Sequence, residues 1–329
     1  MKKEFFGFLN TGATVHKFTI KNADTEASII TYGAALTEFK LFGHDVVMGY
    51  DKLDDYIADD SHQGGIIGRV ANRLKDAEIY IDKKLYRITK NDGENCLHGG
   101  FGFDKRLWAV SEFCDTGVTL TYHSENFEEG FPSSVDVKVT YSITDDGALK
   151  IDYYATPDGK TPIALTNHAY FNLNKIGTTV LSHTAQIFAD RYTEVDHTLI
   201  PTGKRPTVNG TPLDFRVPKK IGKEIENMGV GYDHNFILFP CNETHSALPL
   251  AARITADEIV MSVYTDQPGI QLYTANFLGG KPDFKGGVKR IKHGGLCLEA
   301  QTEPGAPRIY AAGEEYRQTT IYKLEKRTK

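Results

Sequence analysis

A tight turn flanked by two alternating segments constrains this chain more than any other feature of its sequence. Apolar residues alternate with polar ones over 135–143, the turn residues Asp145-Asp146-Gly147 follow, and the alternation resumes over 149–153. Successive side chains of a strand point to opposite faces, so a period of two marks a strand with one buried and one solvated face. The pattern therefore predicts a β-hairpin in a sheet that exposes one face to water.

The same period of two recurs in short segments along the rest of the chain. These segments lie at 28–32, 36–42, 79–81, 85–88, 118–122, 186–189, 235–239, 258–265, 270–277, 296–301 and 318–324. Residues 163–165, after Pro162, have the composition of a further buried strand, and helical spacing is convincing only over 221–228. We predict an all-β protein, either two large antiparallel sheets packed face to face or one wide curved sandwich. No linker or repeat divides the chain, so residues 1–329 are expected to form a single domain.

The charge balance limits what the protein binds. The chain has 38 basic and 43 acidic residues, a net charge of -5, and no basic cluster beyond short pairs such as Lys219-Lys220. Binding to nucleic acid or to an acidic membrane needs a concentrated positive surface. We therefore expect no nucleic-acid or membrane partner, and a small neutral molecule as the ligand.

The cysteines and the apolar runs indicate where the protein resides. The four cysteines are scattered without a CxxC pair, in a chain large enough to be stable without disulfides. We expect reduced thiols. The apolar N-terminal run is broken at Glu4 and Gly7, and no stretch approaches the length of a membrane span. These features predict a cytoplasmic protein.

The segment 165–173 places polar groups directly after an apolar run. Along an extended chain, His168 and Tyr170 lie on one face while Ala169 and Phe171 lie on the other. An imidazole and a phenol on one face are suited to proton transfer and to binding hydroxyl groups. A histidine in such a position is more often a hydrogen-bonded structural side chain, so His168 by itself does not establish catalysis.

Glu299 lies in the otherwise apolar segment 296–301. Burial raises the pKa of a carboxyl group and so makes a glutamate a useful base near neutral pH. The alternative is a buried carboxylate that an arginine holds for structural reasons. Glu303 is four residues further on, but Pro304 and Gly305 predict a turn that leaves Glu303 at a solvated strand end.

Four further segments are rich in groups that bind polar ligands. They are 68–73, with Asn72 and Arg73 as donors; 97–108, with His98, a glycine-rich loop and three aromatic residues that include the only Trp; 231–235, with Asp233; and 269–273, with Gln271. Aromatic surfaces beside hydrogen-bonding side chains suit sugars. The structural alternatives are a solvated turn for 68–73, a hairpin loop closed by an Asp-Arg pair for 97–108, and outward-facing strand positions for the other two.

Metal and nucleotide motifs are absent from the sequence. The eleven histidines form no HxxxH, HExxH or HxH pattern with acidic neighbours, and neither GxxxxGK[ST] nor a strand-linked GxGxxG occurs. We therefore expect no metal and no cofactor.

Six motifs taken together resemble the aldose 1-epimerase (galactose mutarotase) family. In order they are Gly68-Arg69-Val70-Ala71-Asn72-Arg73, Leu97-His98-Gly99-Gly100 with Asp104-Lys105-Arg106-Leu107-Trp108, Asn167-His168-Ala169-Tyr170-Phe171-Asn172-Leu173, Asp233-His234-Asn235, Gln271-Leu272-Tyr273-Thr274 and Leu298-Glu299-Ala300-Gln301. Each is weak alone, but six in sequence over nearly the whole chain are specific.

The resemblance implies a fold, an activity and a set of residue roles. The fold would be the family's large antiparallel β-sandwich, the galactose mutarotase-like supersandwich, in a monomer or homodimer. The activity would be cofactor-independent interconversion of the α and β anomers of hexoses such as D-galactose and D-glucose. Glu299 would be the general base and His168 the general acid. The residues that would hold the sugar are Asn72, Arg73, His98, Tyr170, Asp233 and Gln271. One departure from the family pattern, the loop 303–308, concerns sugar preference rather than the acid-base pair.

Two other function classes remain open at this point. A glycosidase needs two carboxyl groups that flank the scissile bond, and Asp233 with Glu299 would supply them. A non-catalytic sugar-binding module would keep the aromatic and polar residues without needing Glu299 and His168 as a pair. A hexose-phosphate epimerase would need a basic cluster near these motifs, and the sequence has none.

Overall fold

The computed structural model describes residues 2–328, and strands are the main regular secondary structure of these residues. In chain order the strands are β1 (Lys2–Phe8), β2 (Thr14–Asn22), β3 (Thr25–Ile30), β4 (Leu36–Leu41), β5 (His44–Asp45), β6 (Ile66–Ile67), β7 (Arg73–Leu74), β8 (Glu78–Ile81), β9 (Lys84–Arg87), β10 (Cys96–Leu97), β11 (Ala109–Phe113), β12 (Gly117–Ser124), β13 (Val135–Ile143), β14 (Leu149–Pro157), β15 (Thr161–Pro162), β16 (Thr166–Asn167), β17 (Thr184–Ile187), β18 (Ala189–Tyr192), β19 (Lys219–Lys220), β20 (Asp233–Leu238), β21 (Thr244–His245), β22 (Leu248–Thr255), β23 (Ile259–Thr265), β24 (Gly269–Tyr273), β25 (Cys297–Gln301), β26 (Ile309–Tyr310) and β27 (Tyr316–Lys326).

Helical structure is sparse in the described part of the chain. One α-helix, α1, spans Leu53–Ala58, and no helix within residues 2–328 has the length and hydropathy to cross a membrane. Short 3₁₀ segments lie at Lys75–Ala77, Phe103–Lys105, Glu128–Gly130, Val180–Ser182, Ile221–Lys223, Ile225–Met228 and Lys285–Gly287.

Three antiparallel sheets make up the main body. The largest contains ten strands along the path β11-β12-β13-β14-β27-β23-β22-β17-β19, with β21 paired to β22. A five-stranded sheet runs from β1 to β5 in sequence order, and a four-stranded sheet has the order β18-β20-β24-β25. The chain therefore returns from β14 to the last strand, β27, before the sheet continues through β23 and β22.

The two smaller sheets pack against different parts of the ten-stranded sheet. Near the five-stranded sheet, the hydroxyl group of Tyr141 on β13 donates to the carbonyl oxygen of Ala34 at 2.8 Å. Near the four-stranded sheet, Tyr322 on β27 donates to the carbonyl oxygen of Leu298 on β25 at 3.0 Å. One cluster of buried apolar side chains draws members from all three sheets. This layered arrangement confirms the predicted all-β antiparallel sandwich.

The hairpin is confirmed where its alternation is clearest. Strands β13 and β14 pair from Val135 with Pro157 to Ile143 with Leu149. Every second pair along the hairpin, beginning with Val135 and Pro157, is buried on both strands. Most other predicted strands agree with observed strands to within a few residues at each end.

Three assignments were wrong in type or in bounds. The segment 221–228 forms two 3₁₀ segments rather than an α-helix, and α1 was not predicted because its two buried residues are too few to show a period. Residues 163–165 lie between β15 and β16 rather than within a strand, and 186–189 is divided between β17 and β18. The four cysteines are free, as expected.

Arg69 shows that the segment 68–73 is not a solvated turn. The residue is 2% exposed, and its terminal amino groups lie against the loops around β12, β13 and β15. They donate six hydrogen bonds to oxygen atoms of Ser124, Glu125, Pro132, Ser133 and Thr161. Burial lowers the pKa of Arg69 to about 10, yet the guanidinium remains charged at neutral pH. The side chain therefore holds these loops together and places Asn72 and Arg73 beside them.

Replacing Arg69 with methionine is expected to lower the free energy of unfolding by about 3–5 kcal/mol, because the buried oxygens lose their charged donor. Arg69→Lys retains the charge but has fewer donors, and its free energy of unfolding is expected to lie between those of the wild type and Arg69→Met. The control is Arg317→Met, whose exposed side chain contacts Glu315 and for which a change of about 1 kcal/mol or less is expected. Urea denaturation measures all three, and equal losses for Arg69→Met and Arg317→Met would contradict the assignment.

Candidate active site

A pocket of about 180 Å³ opens where the four-stranded sheet meets the loops that precede β7 and follow β10. All eight residues predicted from the sequence line it, although they come from distant parts of the chain. They are Asn72, Arg73, His98, His168, Tyr170, Asp233, Gln271 and Glu299. The structure thus brings every predicted site residue together, while their individual roles remain predictions.

Strand register places the residues of the sheet on one face. Gln271 on β24 lies directly opposite Glu299 on β25, so both side chains point to the same side. The side-chain amide of Gln271 donates to Asp233 Oδ1 at 2.6 Å, and Asn72 Nδ2 donates to Gln271 Oε1 at 3.3 Å. This chain of hydrogen bonds joins the floor of the pocket to the loop that carries Asn72 and Arg73.

His168 is fixed by its backbone rather than by membership of a long strand. Its N–H donates to the carbonyl oxygen of Gly65 at 2.9 Å, and its carbonyl oxygen accepts from Gly64 at 3.0 Å. The rings of His168 and Tyr170 have centroids 5.2 Å apart, which agrees with the predicted common face. Tyr170 in turn donates to the carbonyl oxygen of Ser61 at 3.1 Å.

Glu299 and His168 form a buried carboxyl–imidazole pair in the pocket. Glu299 Oε1 lies 3.7 Å from His168 Nε2, and the two residues are 2% and 5% exposed. Glu299 Oε2 is buried with no hydrogen-bond partner among residues 2–328. The Nε atom of Arg73 donates to Asp92 Oδ2 at 2.7 Å, and within residues 2–328 no arginine forms an ion pair with Glu299, although the positive charge of Arg73 opposes the rise in the pKa of Glu299. The carboxyl group is therefore not the arginine-held structural group that was the alternative.

Burial favours the neutral form of both members of this pair. It raises the pKa of Glu299 well above 4.5, with a further contribution from the negative charge of Asp233, and it lowers the pKa of His168 to about 3, assisted by the nearby His62. Both shifts disfavour the charged pair and favour a protonated Glu299 beside a neutral His168. Transfer of the proton of Glu299 across the 3.7 Å gap would produce a carboxylate base and an imidazolium acid.

His98 is held as a hydrogen-bond donor. Its Nδ1 accepts the backbone N–H of Asn72 at 3.2 Å. Burial lowers the pKa of His98 well below 6.5, so the ring is neutral and carries its single proton on Nε2. Ligand atoms of His98, His168 and Glu299 lie within 4.8 Å of one another, a spacing that a metal ion would accept. The His98 ring, however, has no free lone pair to offer, and so this donor set does not suit a metal.

Asp233 is the second buried carboxyl group of the pocket. Burial raises its pKa, and the positive charge of Arg73 opposes this effect. Because Gln271 already donates to Oδ1, the other carboxyl oxygen is left to accept from a ligand.

Several residues that line the pocket were not predicted from the sequence. They are Asp60, Ser61, His62, Leu97, Tyr273, Phe277, Leu278 and Arg290. Tyr273 belongs to a motif that was singled out, but no role was given to it. The signal for His62 is weak: it belongs to a polar run, 59–63, directly before Gly64 and Gly65.

The structural alternative for 97–108, a hairpin loop closed by an Asp-Arg pair, does not agree with the structure. Asp104 Oδ2 lies 2.8 Å from His62 Nδ1, whereas Arg106 pairs with Glu128 and Glu129, each at 3.0 Å. Asp104 and Arg106 therefore pair with different neighbours.

Comparison with known proteins places this chain among sugar epimerases. A family model described as aldose 1-epimerase matches residues 16–323. Galactose mutarotase of Bos taurus is 39% identical over 97% of both chains, and aldose 1-epimerase of Haemophilus influenzae is 33% identical over 95% of this chain and 97% of its own. The crystal structure of galactose 1-epimerase from Lactobacillus acidophilus superposes with a TM-score of 0.88 at 26% identity, covering 99% of this chain and 98% of that one.

Proposed function

This chain belongs to the aldose 1-epimerase family and is an isomerase that interconverts sugar anomers, and we propose that it acts on hexoses such as D-galactose and D-glucose with Glu299 and His168 as its acid-base pair. The observation that carries the assignment of roles is the 3.7 Å separation of Glu299 Oε1 and His168 Nε2 in a buried pocket. The hydroxyl oxygen and the ring oxygen that exchange protons are both bonded to C1 of the sugar. A base and an acid that act on them must therefore converge on one point, as these two atoms do.

The proposed reaction needs only the residues of this chain. Glu299, as carboxylate, removes the proton of the C1 hydroxyl while His168, as imidazolium, protonates the ring oxygen, and the ring opens. Rotation about the C1–C2 bond presents the other face of the carbonyl carbon. In ring closure His168 takes back the proton of the hydroxyl that re-forms the ring, Glu299 returns a proton to the C1 oxygen, and the pair recovers its starting state.

The remaining residues are proposed to bind the sugar hydroxyls. Arg73 and His98 present N–H donors, which also stabilise oxygen atoms as charge moves among them. Asp233 presents an acceptor, and the amides of Asn72 and Gln271 fix its direction. Tyr170 contributes an aromatic face beside His168.

A glycosidase is less well supported than a mutarotase. Such an enzyme requires two carboxyl groups on either side of the bond that is cleaved. Glu299 lies 3.7 Å from an imidazole nitrogen, and Asp233 is held by a hydrogen bond from Gln271. Release of nitrophenol from aryl glycosides would reveal the glycosidase.

Location and assembly remain proposals of the same kind. The free cysteines support a cytoplasmic location. The common core of the three sheets supports one folding unit over residues 1–329. A monomer or homodimer is expected.

Polarimetry of freshly dissolved α-D-galactose and α-D-glucose tests the function. We expect the purified protein to accelerate the approach to anomeric equilibrium, and to retain full activity after exhaustive chelation, since the His98 ring has no lone pair for a metal. Loss of activity on chelation, with recovery on addition of a metal, would contradict the acid-base mechanism.

A further inference from the structure

We propose that His62, oriented by Asp104, is a further sugar-binding residue whose Nε2 atom accepts a hydrogen bond from a sugar hydroxyl. The inference rests on the mutarotase function proposed above and adds to it a binding contact that no motif indicated. It concerns binding rather than proton transfer to the reacting oxygens.

His62 lies within the same pocket as the acid-base pair. Its ring centroid is 4.8 Å from that of His98 and 5.7 Å from that of His168. The side chain is 16% exposed, and this exposed part belongs to the pocket lining. A ligand that contacts both other histidines is therefore within reach of His62.

Asp104 fixes the orientation of the His62 ring. Asp104 Oδ2 lies 2.8 Å from His62 Nδ1, and the aspartate side chain is 2% exposed. Burial alone would raise the pKa of Asp104, but the charge that the His62 ring carries whenever it is protonated, together with the hydrogen bond from that ring, lowers it below its usual range. The carboxylate is thus ionised and can only accept a hydrogen bond, so Nδ1 of His62 must donate.

This arrangement leaves one nitrogen of His62 for a ligand. Among residues 2–328, Nε2 has no hydrogen-bond partner, and yet it is not sealed from the pocket. In a neutral ring with its proton on Nδ1, Nε2 carries the lone pair and is an acceptor. A histidine whose second nitrogen is free in a binding pocket differs from a structural histidine such as His183, which accepts the N–H of Leu173.

The pocket has a use for this acceptor. Arg73 and His98 present donors, whereas Asp233 is the acceptor whose first oxygen is already occupied. A sugar hydroxyl both donates and accepts, so each bound hydroxyl needs an acceptor as well as a donor to replace its bonds to water. His62 supplies a further acceptor, and it lies on a loop rather than on the sheet that carries Asp233.

Steady-state kinetics of His62→Asn test the proposal, with galactose, glucose and their singly deoxygenated analogues as substrates. Asparagine is chosen because residue 62 has a φ of 59°, which asparagine tolerates better than most residues. We expect KM to rise about 2- to 13-fold, the equivalent of one hydrogen bond of roughly 0.5–1.5 kcal/mol, with a smaller change in kcat. For the one deoxy sugar that lacks the contacted hydroxyl, the wild type and the variant should have the same KM.

Two further variants test whether the change in KM comes from the His62 contact in the pocket. Asp104→Asn keeps the ring of His62 but weakens its anchor, and it should raise KM for the same set of sugars by a smaller factor. His123→Asn is the matched control, since His123 Nδ1 pairs with Asp136 at 2.6 Å on the exposed side of β12 and outside the pocket. It should leave KM and kcat unchanged.

An equal rise in KM for every deoxy sugar, or no rise for any sugar, would overturn the proposal and leave His62 with a role in pocket shape alone. If the wild-type protein accelerated no mutarotation, the proposed function would fail first. Calorimetric titration of galactose into wild type and His62→Asn would then decide the binding role separately, and equal affinities or an absence of binding would refute it.

Discussion

Glu299→Gln is expected to reduce mutarotation by about 10²–10⁴-fold, the range that a positioned general base contributes, whereas Glu303→Gln should change it only modestly. Glutamine is nearly isosteric with glutamate but cannot take up the proton of the C1 hydroxyl. The substitution therefore removes the base while leaving the pocket in place.

The structure gives the two glutamates different surroundings. Glu299 lies on β25, faces the pocket and is 2% exposed. Glu303 lies beyond the end of β25, where it accepts hydrogen bonds from Thr193 at 3.1 Å and from Arg205 Nε at 3.0 Å, and it does not line the pocket. The predicted turn at Pro304 and Gly305, beyond the strand that carries Glu299, is thus confirmed.

Polarimetry on both purified variants measures the effect, and circular dichroism establishes that each is folded. Glu299→Gln is expected to be at least as stable as the wild type, because the folded protein no longer has to bury an ionisable carboxyl group. An inactive Glu303→Gln beside an active Glu299→Gln would overturn the assignment of the base.

His168→Asn is expected to lower kcat by about 10²–10⁴-fold with little change in KM, because a group that acts only in proton transfer stabilises the transition state and not the bound sugar. His98→Asn should instead raise KM at least as much as it lowers kcat. Its ring is held by Asn72 as a donor, an arrangement suited to binding rather than to gaining and losing a proton.

Initial rates over a range of sugar concentrations separate the two variants. The comparison is well matched, since both histidines are buried in one pocket, with ring centroids 5.1 Å apart, and both receive the same substitution. Identical changes in KM and kcat for the two variants would remove the basis for giving them different roles.

Parts of the site were predictable because their chemistry is visible in short segments. Glu299 stands out as a carboxyl group in an apolar strand, and His168 as an imidazole after an apolar run. His62 and Arg290 do not stand out, because each lies in a polar loop where charged and aromatic residues are ordinary. Only their position in space distinguishes them.

The buried hydrogen bonds of Arg69 also could not be predicted from the sequence. A run of glycine, arginine and asparagine is typical of a solvated turn. The six oxygens that accept from Arg69 belong to segments 55 to 92 residues further along the chain, and no local pattern connects them to it.

The sequence by itself determined the all-β class, the β13–β14 hairpin, and the family to which the chain belongs. Alternation and turn residues act between neighbours, so their consequences are local and can be inferred without coordinates. The tertiary structure alone decided that Glu299 lies 3.7 Å from His168 and that eight dispersed residues line one pocket. It also decided that Asp104 pairs with His62 and not with an arginine of its own loop. These distances depend on how β24 and β25 pair and where the loops before β7 and after β10 pass, and both are fixed by packing between residues far apart in the chain.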